Sequence, residues 1–445
     1  MDWMAPLARR VFVPLYEKRW GIHPGPLLAE LERSQFLPEE EVRALQWERL
    51  RGLLEFAAHS NPFYRERYAG IDLPALRGLE DLARLPLLTK DDLRSHPDAL
   101  ISEGYDCARM FHKRTGGSTG VPVHLYWDDA AHLFKRAVVR RHDAWAGHRL
   151  GERLAALWGD TEKSYPFKER VYKALCERTV YLDTLLMDEE HLARFVDDLR
   201  RTRPRVLMGH AHSIFFLTEY LLRSGDEDIA FDGIISTAET LSPAEREAVE
   251  GRFGKVVFDR YGCEEVSLIA SECEAHDGLH MSAEGLYVEV LDSEGDRPGR
   301  VVVTDLFNRG MPLIRYEVGD LATLAPGPCP CGRGLPRLGR VFGRTTDILY
   351  APDGRRISGV SILDTFVIHV PGVHQAQIVQ DALDHIELRV VPDRGFSQET
   401  RDLLAQNVRD IFGPAMRYDL EIVESIAPTA RGKFQFTICE IEAPN

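Results

Sequence analysis

Residues 114–128 of the chain read RTGGSTGVPVHLYWD, with three glycines, two threonines and one serine in the six positions 115–120. Glycine lets the backbone approach a ligand closely and adopt a positive φ, and bare N–H groups beside hydroxyls suit phosphate oxygens. The stretch differs from a P-loop, because Val121 stands where that motif would place its lysine. Composition alone leaves two interpretations open, a phosphate-binding loop and an ordinary turn between strands.

Charge and hydropathy exclude several classes of function. The chain has 445 residues, 55 of them basic and 70 acidic, so its formal net charge is −15. The two signs are interspersed, which argues against nucleic acid as a partner and requires an anionic ligand to be met locally by amides, a metal or a few cations. The N-terminal run lacks the pattern of a signal peptide, and no apolar stretch approaches the ~20 residues of a spanning helix. We therefore expect a cytoplasmic protein with no membrane partner.

The hydrophobic pattern predicts an α/β fold with more than one domain. Apolar runs that end in polar or small residues alternate with charged helical segments between about residues 130 and 300, as in an α/β domain. Residues 286–350 form a β-rich part, and the segment of about 1–100 is mainly helical. We predict a large N-terminal domain over 1–345 and a small C-terminal α+β domain over 346–445.

Five motifs occur in the order and approximate spacing of the adenylate-forming acyl-CoA synthetase superfamily, which the chain resembles. They are TGGSTGVP at 115–122, YGCEE at 261–265, RYEVGD at 315–320, GRTTD at 343–347 and GKF at 432–434. The sequence is most similar to the phenylacetate-CoA ligase branch and its capsule-biosynthesis-like relatives, through LLEFAAHSNPFYRERY, LPLLTKDDLR, EGLYVEVLD and GMPLIRYEVGDLATL. The resemblance covers residues from about 46 to 440.

The resemblance implies a two-step reaction. A carboxylic acid and ATP form an acyl-adenylate and pyrophosphate, and CoA then displaces AMP, with an aryl or related acid as substrate and ATP, Mg²⁺ and CoA as cofactors. In relatives the small domain moves about a hinge, here 344–347, between the two steps. Transfer of the acyl group to an amine or carrier protein, nucleotidyl transfer, and a non-catalytic scaffold are alternatives, and a homodimer is an open question.

Carried over residue by residue, the resemblance assigns the glycine-rich loop to the β- and γ-phosphates of ATP. The loop residues are Thr115, Gly116, Gly117, Ser118, Thr119 and Gly120. The family loop often contains one or two lysines after its central glycine, and here Val121 and Val123 replace them. This departure weakens the phosphate interpretation without removing it.

Four further residues would bind the nucleotide. In relatives the loop that contains Glu239 lies against the adenine, and Tyr261 would sit beside the base. Asp320 suits the ribose, since one carboxylate can accept hydrogen bonds from both ribose hydroxyls. Arg344 would contact the nucleotide next to the domain boundary.

Two charged residues would serve the chemistry itself. Glu265 matches the acidic residue that holds Mg²⁺, although Glu264 stands where relatives usually have threonine, so either glutamate could be the metal ligand. Lys433 would stabilise the negative charge that grows when the carboxylate attacks the α-phosphorus, and we assign it as the catalytic residue.

Three cysteines and a histidine form a candidate metal site. Cys273 precedes His276 and His280, and Cys329 and Cys331 form a second pair in a turn rich in proline and glycine. Three thiolates and one imidazole would make a closed, structural Zn²⁺ site, whereas the spacing alone is equally compatible with ordinary buried cysteines. Some family members carry this pattern, and we prefer His280 to His276 as the fourth ligand.

The acyl pocket is predicted around the stretch LMGHAHSIFFLTEYL, residues 207–221. His210 and His212 stand where relatives have an aromatic or small residue near the acyl group, and Trp158 is a further candidate wall residue. The two histidines could instead be satisfied core or capping residues. The sequence does not identify the acid.

Replacing Lys433 by alanine is expected to remove nearly all adenylation, because the variant lacks the ammonium that offsets the growing negative charge. The fold and any thioester-forming half-reaction should persist. ATP–pyrophosphate exchange measures the first step, and thioester formation from preformed acyl-adenylate measures the second. Unchanged exchange in the variant would contradict the assignment of Lys433.

Overall fold

The structure is a computed structural model. It describes residues 2, 4–20, 23–115, 123–159, 167–239, 241, 243–293, 298–342, 348–359, 362, 365–366, 370–426 and 435–441. In this part of the chain none of the helices combines the length and the apolar character that crossing a bilayer requires.

The helices are concentrated in the first 100 residues and between the strands of the middle of the chain, as the pattern predicts. They are α1 (Met4–Leu7), α2 (Val13–Trp20), α3 (Gly25–Ser34), α4 (Glu39–Ser60), α5 (Pro62–Arg67), α6 (Lys90–Ser95), α7 (Asp129–Trp145), α8 (Phe167–Tyr172), α9 (Glu189–Thr202), α10 (Ala211–Ser224), α11 (Pro243–Phe253) and α12 (Gln398–Phe412). Helix α4 begins with three glutamates, and their negative charges interact favourably with the positive N-terminal end of the helix dipole.

The strands follow the apolar runs of the sequence closely. They are β1 (Phe111–Thr115), β2 (Val123–Trp127), β3 (Leu154–Trp158), β4 (Thr179–Asp183), β5 (Val206–His210), β6 (Gly233–Thr237), β7 (Val257–Cys263), β8 (Ser267–Glu272), β9 (Leu279–Met281), β10 (Leu286–Leu291), β11 (Gly299–Asp305), β12 (Tyr316–Leu324), β13 (Arg337–Phe342), β14 (Ile348–Tyr350), β15 (Arg356–Ser358), β16 (Val373–Ala382), β17 (His385–Pro392), β18 (Arg417–Ile422) and β19 (Thr437–Cys439).

One large sheet joins eleven of the described strands in the order β10-β11-β12-β13-β9-β8-β7-β6-β5-β3-β4. The half from β7 to β4 is parallel, and the half from β7 to β10 is antiparallel. The sequence prediction of an α/β region followed by a β-rich region is therefore confirmed, and strand β7 belongs to both halves.

The parallel half is built from strand–helix units. Helices α9, α10 and α11 lie between its strands in sequence and pack with them around a buried apolar core that includes Leu157, Leu207, Ile214 and Ile234. In such a sheet the carboxyl ends of all strands meet at one edge. The last residues of β3, β5 and β6 therefore lie at a common edge.

The antiparallel half curves back on itself. The hydroxyl of Tyr261 on β7 lies 3.0 Å from the carboxylate of Asp320 on β12, although β8, β9 and β13 separate these two strands in the sheet order. The concave side is filled by a core that also receives apolar residues of α4 and α5, such as Leu50, Leu53 and Tyr64. The N-terminal helices therefore stabilise the curved sheet.

The C-terminal residues form a four-stranded sheet among the described strands, in the order β18-β17-β16-β19. Helix α12 packs on it through Leu404 and Val408, which share a separate apolar core with Ile378 and Leu388. The first turn of α12 is stabilised by a capping box between Ser397 and Thr400. These elements agree with the predicted α+β arrangement. The predicted boundary near 345 falls within 343–347, outside the described residues, and stays a prediction.

Replacing the buried Leu207 by alanine is expected to lower the free energy of unfolding by about 2–5 kcal/mol, because a cavity is left in the core of the parallel half. Leu222 on α10 is 55% exposed, so the same substitution there should change it by about 0.5 kcal/mol or less. Urea unfolding followed by circular dichroism measures both variants. Equal shifts in the two midpoints would contradict the packing described.

Candidate functional site

Asp320 and Tyr261 meet at the concave side of the antiparallel half. The Tyr261 hydroxyl donates a hydrogen bond of 3.0 Å to Oδ2 of Asp320. The carboxylate is buried, and its second oxygen, Oδ1, has no hydrogen-bond partner among the described residues. A buried carboxylate oxygen without a partner is costly unless a ligand supplies a donor. The arrangement leaves Asp320 able to accept hydrogen bonds from hydroxyl groups of a ligand.

A second tyrosine, Tyr316, holds Glu265 in the same way. Its hydroxyl donates to Oε1 of Glu265 at 3.0 Å, and the ammonium of Lys90 lies 3.6 Å from that oxygen. Both Glu265 and Tyr316 are buried. The ammonium of Lys90 therefore offsets part of the cost of burying the Glu265 carboxylate.

The backbone beside β12 explains how Lys90 reaches this position. Leu88 donates its N–H to the carbonyl of Arg315 and accepts from the N–H of Glu317, both at 2.9 Å. Helix α6 then begins at Lys90, with Thr89 and Asp92 forming its capping box. The start of α6 is thereby fixed next to Tyr316.

Tyr316 and Asp320 lie on the same face of β12, because buried and more exposed residues alternate along the strand and both of these are buried. Their partners Glu265 and Tyr261 lie four residues apart in YGCEE. The two segments are thus joined by two phenol–carboxylate hydrogen bonds. Burial and the neighbouring Glu265 carboxylate raise the pKa of the Cys263 thiol well above its usual range, and Asp320 adds to the effect. Cys263 is therefore a neutral thiol between two carboxylates.

The glycine-rich stretch connects the two strands of a hairpin. Strands β1 and β2 pair antiparallel, from Phe111 opposite Trp127 to Thr115 opposite Val123. Residues 116–122, which include the predicted loop residues Gly116 to Gly120, lie outside the described residues, as does the side chain of Thr115. The indole N–H of Trp127 donates to the carbonyl of Glu265 at 3.1 Å. The hairpin is therefore attached to the same segment that carries Tyr261 and Glu265.

Glu264 and Glu265 have different environments. Glu264 is exposed, and one of its carboxylate oxygens lies 3.6 Å from the ammonium of Lys113. Glu265 is buried and held by Tyr316 and Lys90. A single ionised carboxylate beside phosphate oxygens is a typical ligand set for Mg²⁺, and Glu265 fits that role because its position is fixed.

The predicted acyl-pocket residues lie at the carboxyl edge of the parallel strands. Trp158 ends β3 and His210 ends β5, and their ring centroids are 4.7 Å apart. Trp158 is 40% exposed, whereas His210 is buried. The edge therefore presents a partly exposed indole next to a buried imidazole.

His212 and Glu239 contact each other at the start of α10. Nδ1 of the imidazole lies 3.2 Å from one oxygen of Glu239, and Nε2 lies 3.6 Å from Glu245. The other oxygen of Glu239 accepts the backbone N–H of His212 at 3.3 Å. The carboxylate of Glu239 thus stabilises the N-terminus of the helix, and the approach of its loop to an adenine stays a prediction.

The four predicted metal ligands come together. One ligand atom from each of Cys273, His280, Cys329 and Cys331 lies within 4.8 Å of each of the other three. Nε2 of His280 is 3.2 Å from the Cys331 sulfur, and the Cys273 and Cys329 sulfurs are 3.7 Å apart. Three thiols and one imidazole that converge in this way are the donor set of a structural Zn²⁺ site.

The surroundings of the cluster orient its ligands. Nδ1 of His280 lies 3.1 Å from the carbonyl of Leu335, so this nitrogen carries the proton and Nε2 presents its lone pair to the cysteines. The backbone N–H groups of Ala275 and Arg333 donate to the sulfurs of Cys273 and Cys331. His276, the alternative fourth ligand, contacts Glu272 at 3.2 Å instead.

Two further predicted site residues lie outside the described part of the chain, and the structure adds three residues that the sequence analysis did not predict. Arg344 and Lys433 lie outside the described residues, so their roles stay predictions. The sequence analysis did not single out Lys90, Lys113 or Tyr316. The capping box of Thr89 and Asp92 and the placement of Tyr316 four residues before Asp320 are signals from which two of these could have been found.

Comparison with known proteins shows the family. The CapK C-terminal domain family matches residues 349–440. A phenylacetate-coenzyme A ligase of Thermus thermophilus is 31% identical over 398 residues, which cover 82% of this chain and 84% of the relative. Protein CapK of Staphylococcus aureus is 24% identical over 408 residues, 89% of each chain.

The fold has a solved counterpart. The structure of a 2-hydroxyisobutyryl-CoA ligase in complex with 2-HIB-AMP and CoA is similar, with a TM-score of 0.62, 22% sequence identity and 92% of each chain covered. At this identity the similarity concerns the fold. Together with the near-complete coverage of the Thermus thermophilus relative, it leads to one conclusion: the chain belongs to the adenylate-forming superfamily, in its phenylacetate-CoA ligase and CapK-like branch.

Proposed function

We propose that the protein is an ATP-dependent carboxylate–CoA ligase that acts on an aryl or related acid. The observation that carries the proposal is the buried Asp320 carboxylate, held by Tyr261 and with one oxygen left for a ligand. Its position at the end of RYEVGD is the one that the family uses for the ribose of ATP. Family membership and the similarity to CoA ligases support the same reaction class.

The reaction proceeds in two balanced steps. A carboxylate oxygen of the acid attacks the α-phosphorus of ATP, an oxygen–phosphorus bond forms, and pyrophosphate leaves. The sulfur of CoA then attacks the acyl carbon, a thioester forms, and AMP leaves with the electron pair of the broken carbon–oxygen bond. Both steps concentrate negative charge, so their rates depend on where the chain places donors and cations.

Residues of the curved sheet, the glycine-rich loop, the hinge and the small domain position the nucleotide. Asp320 accepts hydrogen bonds from the ribose hydroxyls, and Tyr261 keeps the carboxylate oriented while its ring lies beside the base. Glu265 would hold Mg²⁺, which would neutralise phosphate charge. Residues 115–120 bind the β- and γ-phosphates, and Arg344 and Lys433 complete the site from the hinge and the small domain, which rotates between the steps.

The acid is bound at the edge formed by Trp158 and His210. The partly exposed indole offers a flat apolar surface for an aryl group, and the buried imidazole of His210 lies beside it. His212 belongs to the same proposed pocket, and the contacts of its ring with Glu239 and Glu245 fix the orientation of the imidazole.

The proposal includes one structural zinc ion. Cys273, His280, Cys329 and Cys331 hold it with the hydrogen-bonded surroundings described above. Cys273 and His280 flank the β8–β9 connection, and Cys329 and Cys331 lie between β12 and β13. The ion therefore joins parts of the antiparallel half that are distant in sequence.

ATP–pyrophosphate exchange across a panel of aryl, aliphatic and hydroxy acids tests the function, with and without CoA and with mass detection of products. Exchange with one acid class and an acyl-CoA product are expected. Asp320→Ala should raise the KM for ATP about tenfold or more, because the ribose hydrogen bonds are lost.

One control variant accompanies this experiment. Glu190→Ala removes an exposed carboxylate that pairs with Arg194 on the surface of α9, and exchange should be unchanged. An acyl-adenylate or amide product without acyl-CoA would instead favour transfer to another acceptor. Absence of exchange with every acid would contradict the proposed function.

Elemental mass spectrometry of the purified protein is expected to find about one zinc ion per chain. The double variant Cys329→Ser, Cys331→Ser should lose the metal and unfold at a lower temperature, because two of the four ligands are removed. Cys107→Ser, a half-buried cysteine outside the cluster, should keep both. A folded wild-type protein that is equally stable without metal would refute the structural zinc.

A further inference from the structure

The glycine-rich loop carries no basic side chain of its own. Positions 115–123 read TGGSTGVPV, with valine at both places where the family loop often has lysine. The β- and γ-phosphates of ATP carry most of its negative charge, and the chain itself has a net charge of −15. A cationic side chain that adds to Mg²⁺ and the backbone amides at these phosphates would therefore come from an element next to the loop.

Lys113 lies on β1, two residues before the loop, on the inner face of the hairpin. Its register partner Leu125 is buried, whereas the neighbouring Arg114 is exposed and lies opposite the exposed His124. Successive side chains of a strand point to opposite faces. Two residues span roughly 7 Å of strand. The long side chain of Lys113 therefore starts close to Thr115, the first residue of the loop.

The contacts of Lys113 direct it toward the nucleotide segment. Its ammonium lies 3.6 Å from Glu264 and 5.1 Å from the centre of the Trp127 ring. The same indole donates to the carbonyl of Glu265. The ammonium is thus held beside YGCEE, the motif that contains both Tyr261 and the candidate Mg²⁺ ligand.

The ion pair of Lys113 with Glu264 can be replaced by an ion pair with another anion. The side chains of Lys113 and Glu264 are 39% and 58% exposed, and ion pairs at such exposure contribute little to stability. The other ammonium near Trp127, that of Lys135, is buried and pairs with Asp305 and the carbonyl of Val266. Lys113 is therefore the better placed of the two for a new anion.

We propose that Lys113 binds the β- and γ-phosphates of ATP, and the pyrophosphate that leaves, in place of the lysines that the loop lacks. Its ammonium leaves Glu264 when the nucleotide binds, while Trp127 continues to hold the side chain through a cation–π contact. The inference rests on the proposed function, since it concerns the nucleotide of the same reaction.

Calorimetric titration of wild type, Lys113→Ala and Arg114→Ala with Mg²⁺-ATP and with AMP tests the role. Lys113→Ala should lower the affinity for ATP about tenfold or more and leave that for AMP unchanged, because AMP lacks the β- and γ-phosphates. Arg114→Ala removes the same charge from the outer face of the same strand, so both affinities should stay at the wild-type value. Lys113→Arg should retain most of the ATP affinity.

The outcomes separate the two proposals. If Lys113→Ala, shown to be folded by circular dichroism, binds ATP as wild type does or loses ATP and AMP affinity equally, the phosphate role is overturned. An equal loss of ATP affinity in Arg114→Ala would assign the effect to overall charge and overturn it as well. If wild-type protein binds neither nucleotide, the adenylating function itself fails, and the role of Lys113 fails with it.

Discussion

Strand β7 is the constraint on which the arrangement of the site depends, because the central sheet changes there from parallel to antiparallel pairing. Its first half pairs with β6 in parallel and its second half pairs with β8 antiparallel. A parallel sheet delivers its functional groups at the carboxyl ends of strands. At β7 the chain continues beyond that edge, and Tyr261 reaches β12 of the curved half. The edge where we propose that the acid binds and the carboxylates that we propose for the nucleotide are thereby brought to the two sides of one strand.

Burial of carboxylates is the main electrostatic cost of this site, and each carboxylate is offset by specific donors. Glu265 is compensated by Lys90 and Tyr316. Asp320 has only the Tyr261 hydroxyl within the described residues, which leaves it more dependent on a ligand. This difference in hydrogen-bond partners suits the two buried carboxylates to the different roles proposed for them, metal binding for Glu265 and hydrogen bonding to ligand hydroxyl groups for Asp320.

A metal bound by the Cys/His cluster would have a structural role in the same region. The antiparallel half contains few helices, and its curvature brings the β8–β9 connection against the turn before β13. A metal bound there would fix the curvature independently of the apolar core. Because β12 carries Asp320 and leads directly into that turn, such a fixed curvature would also hold the nucleotide carboxylate in place.

The sequence by itself determined the order of elements and most of the residue types at the site. Apolar periodicity predicts the α/β region between about residues 130 and 300, the β-rich part over 286–350 and the helical segment of about 1–100, since these patterns depend only on local burial. The family motifs named Asp320, Tyr261, Glu265 and the candidate metal ligands. Local patterns cannot show which residues distant in sequence become neighbours.

Only the tertiary structure decided the partners of these residues. The contact between Tyr261 and Asp320 depends on the curvature of the sheet, and Lys90 reaches Glu265 because Leu88 pairs with β12. The tertiary structure also places His280, and not His276, beside the three cysteines, and it buries Glu265 while leaving Glu264 exposed. These choices follow from hydrogen bonds and packing between segments distant in sequence, such as Leu85 and Arg315, which lie 230 residues apart. Free energies of that kind are properties of the folded chain and not of any short stretch of it.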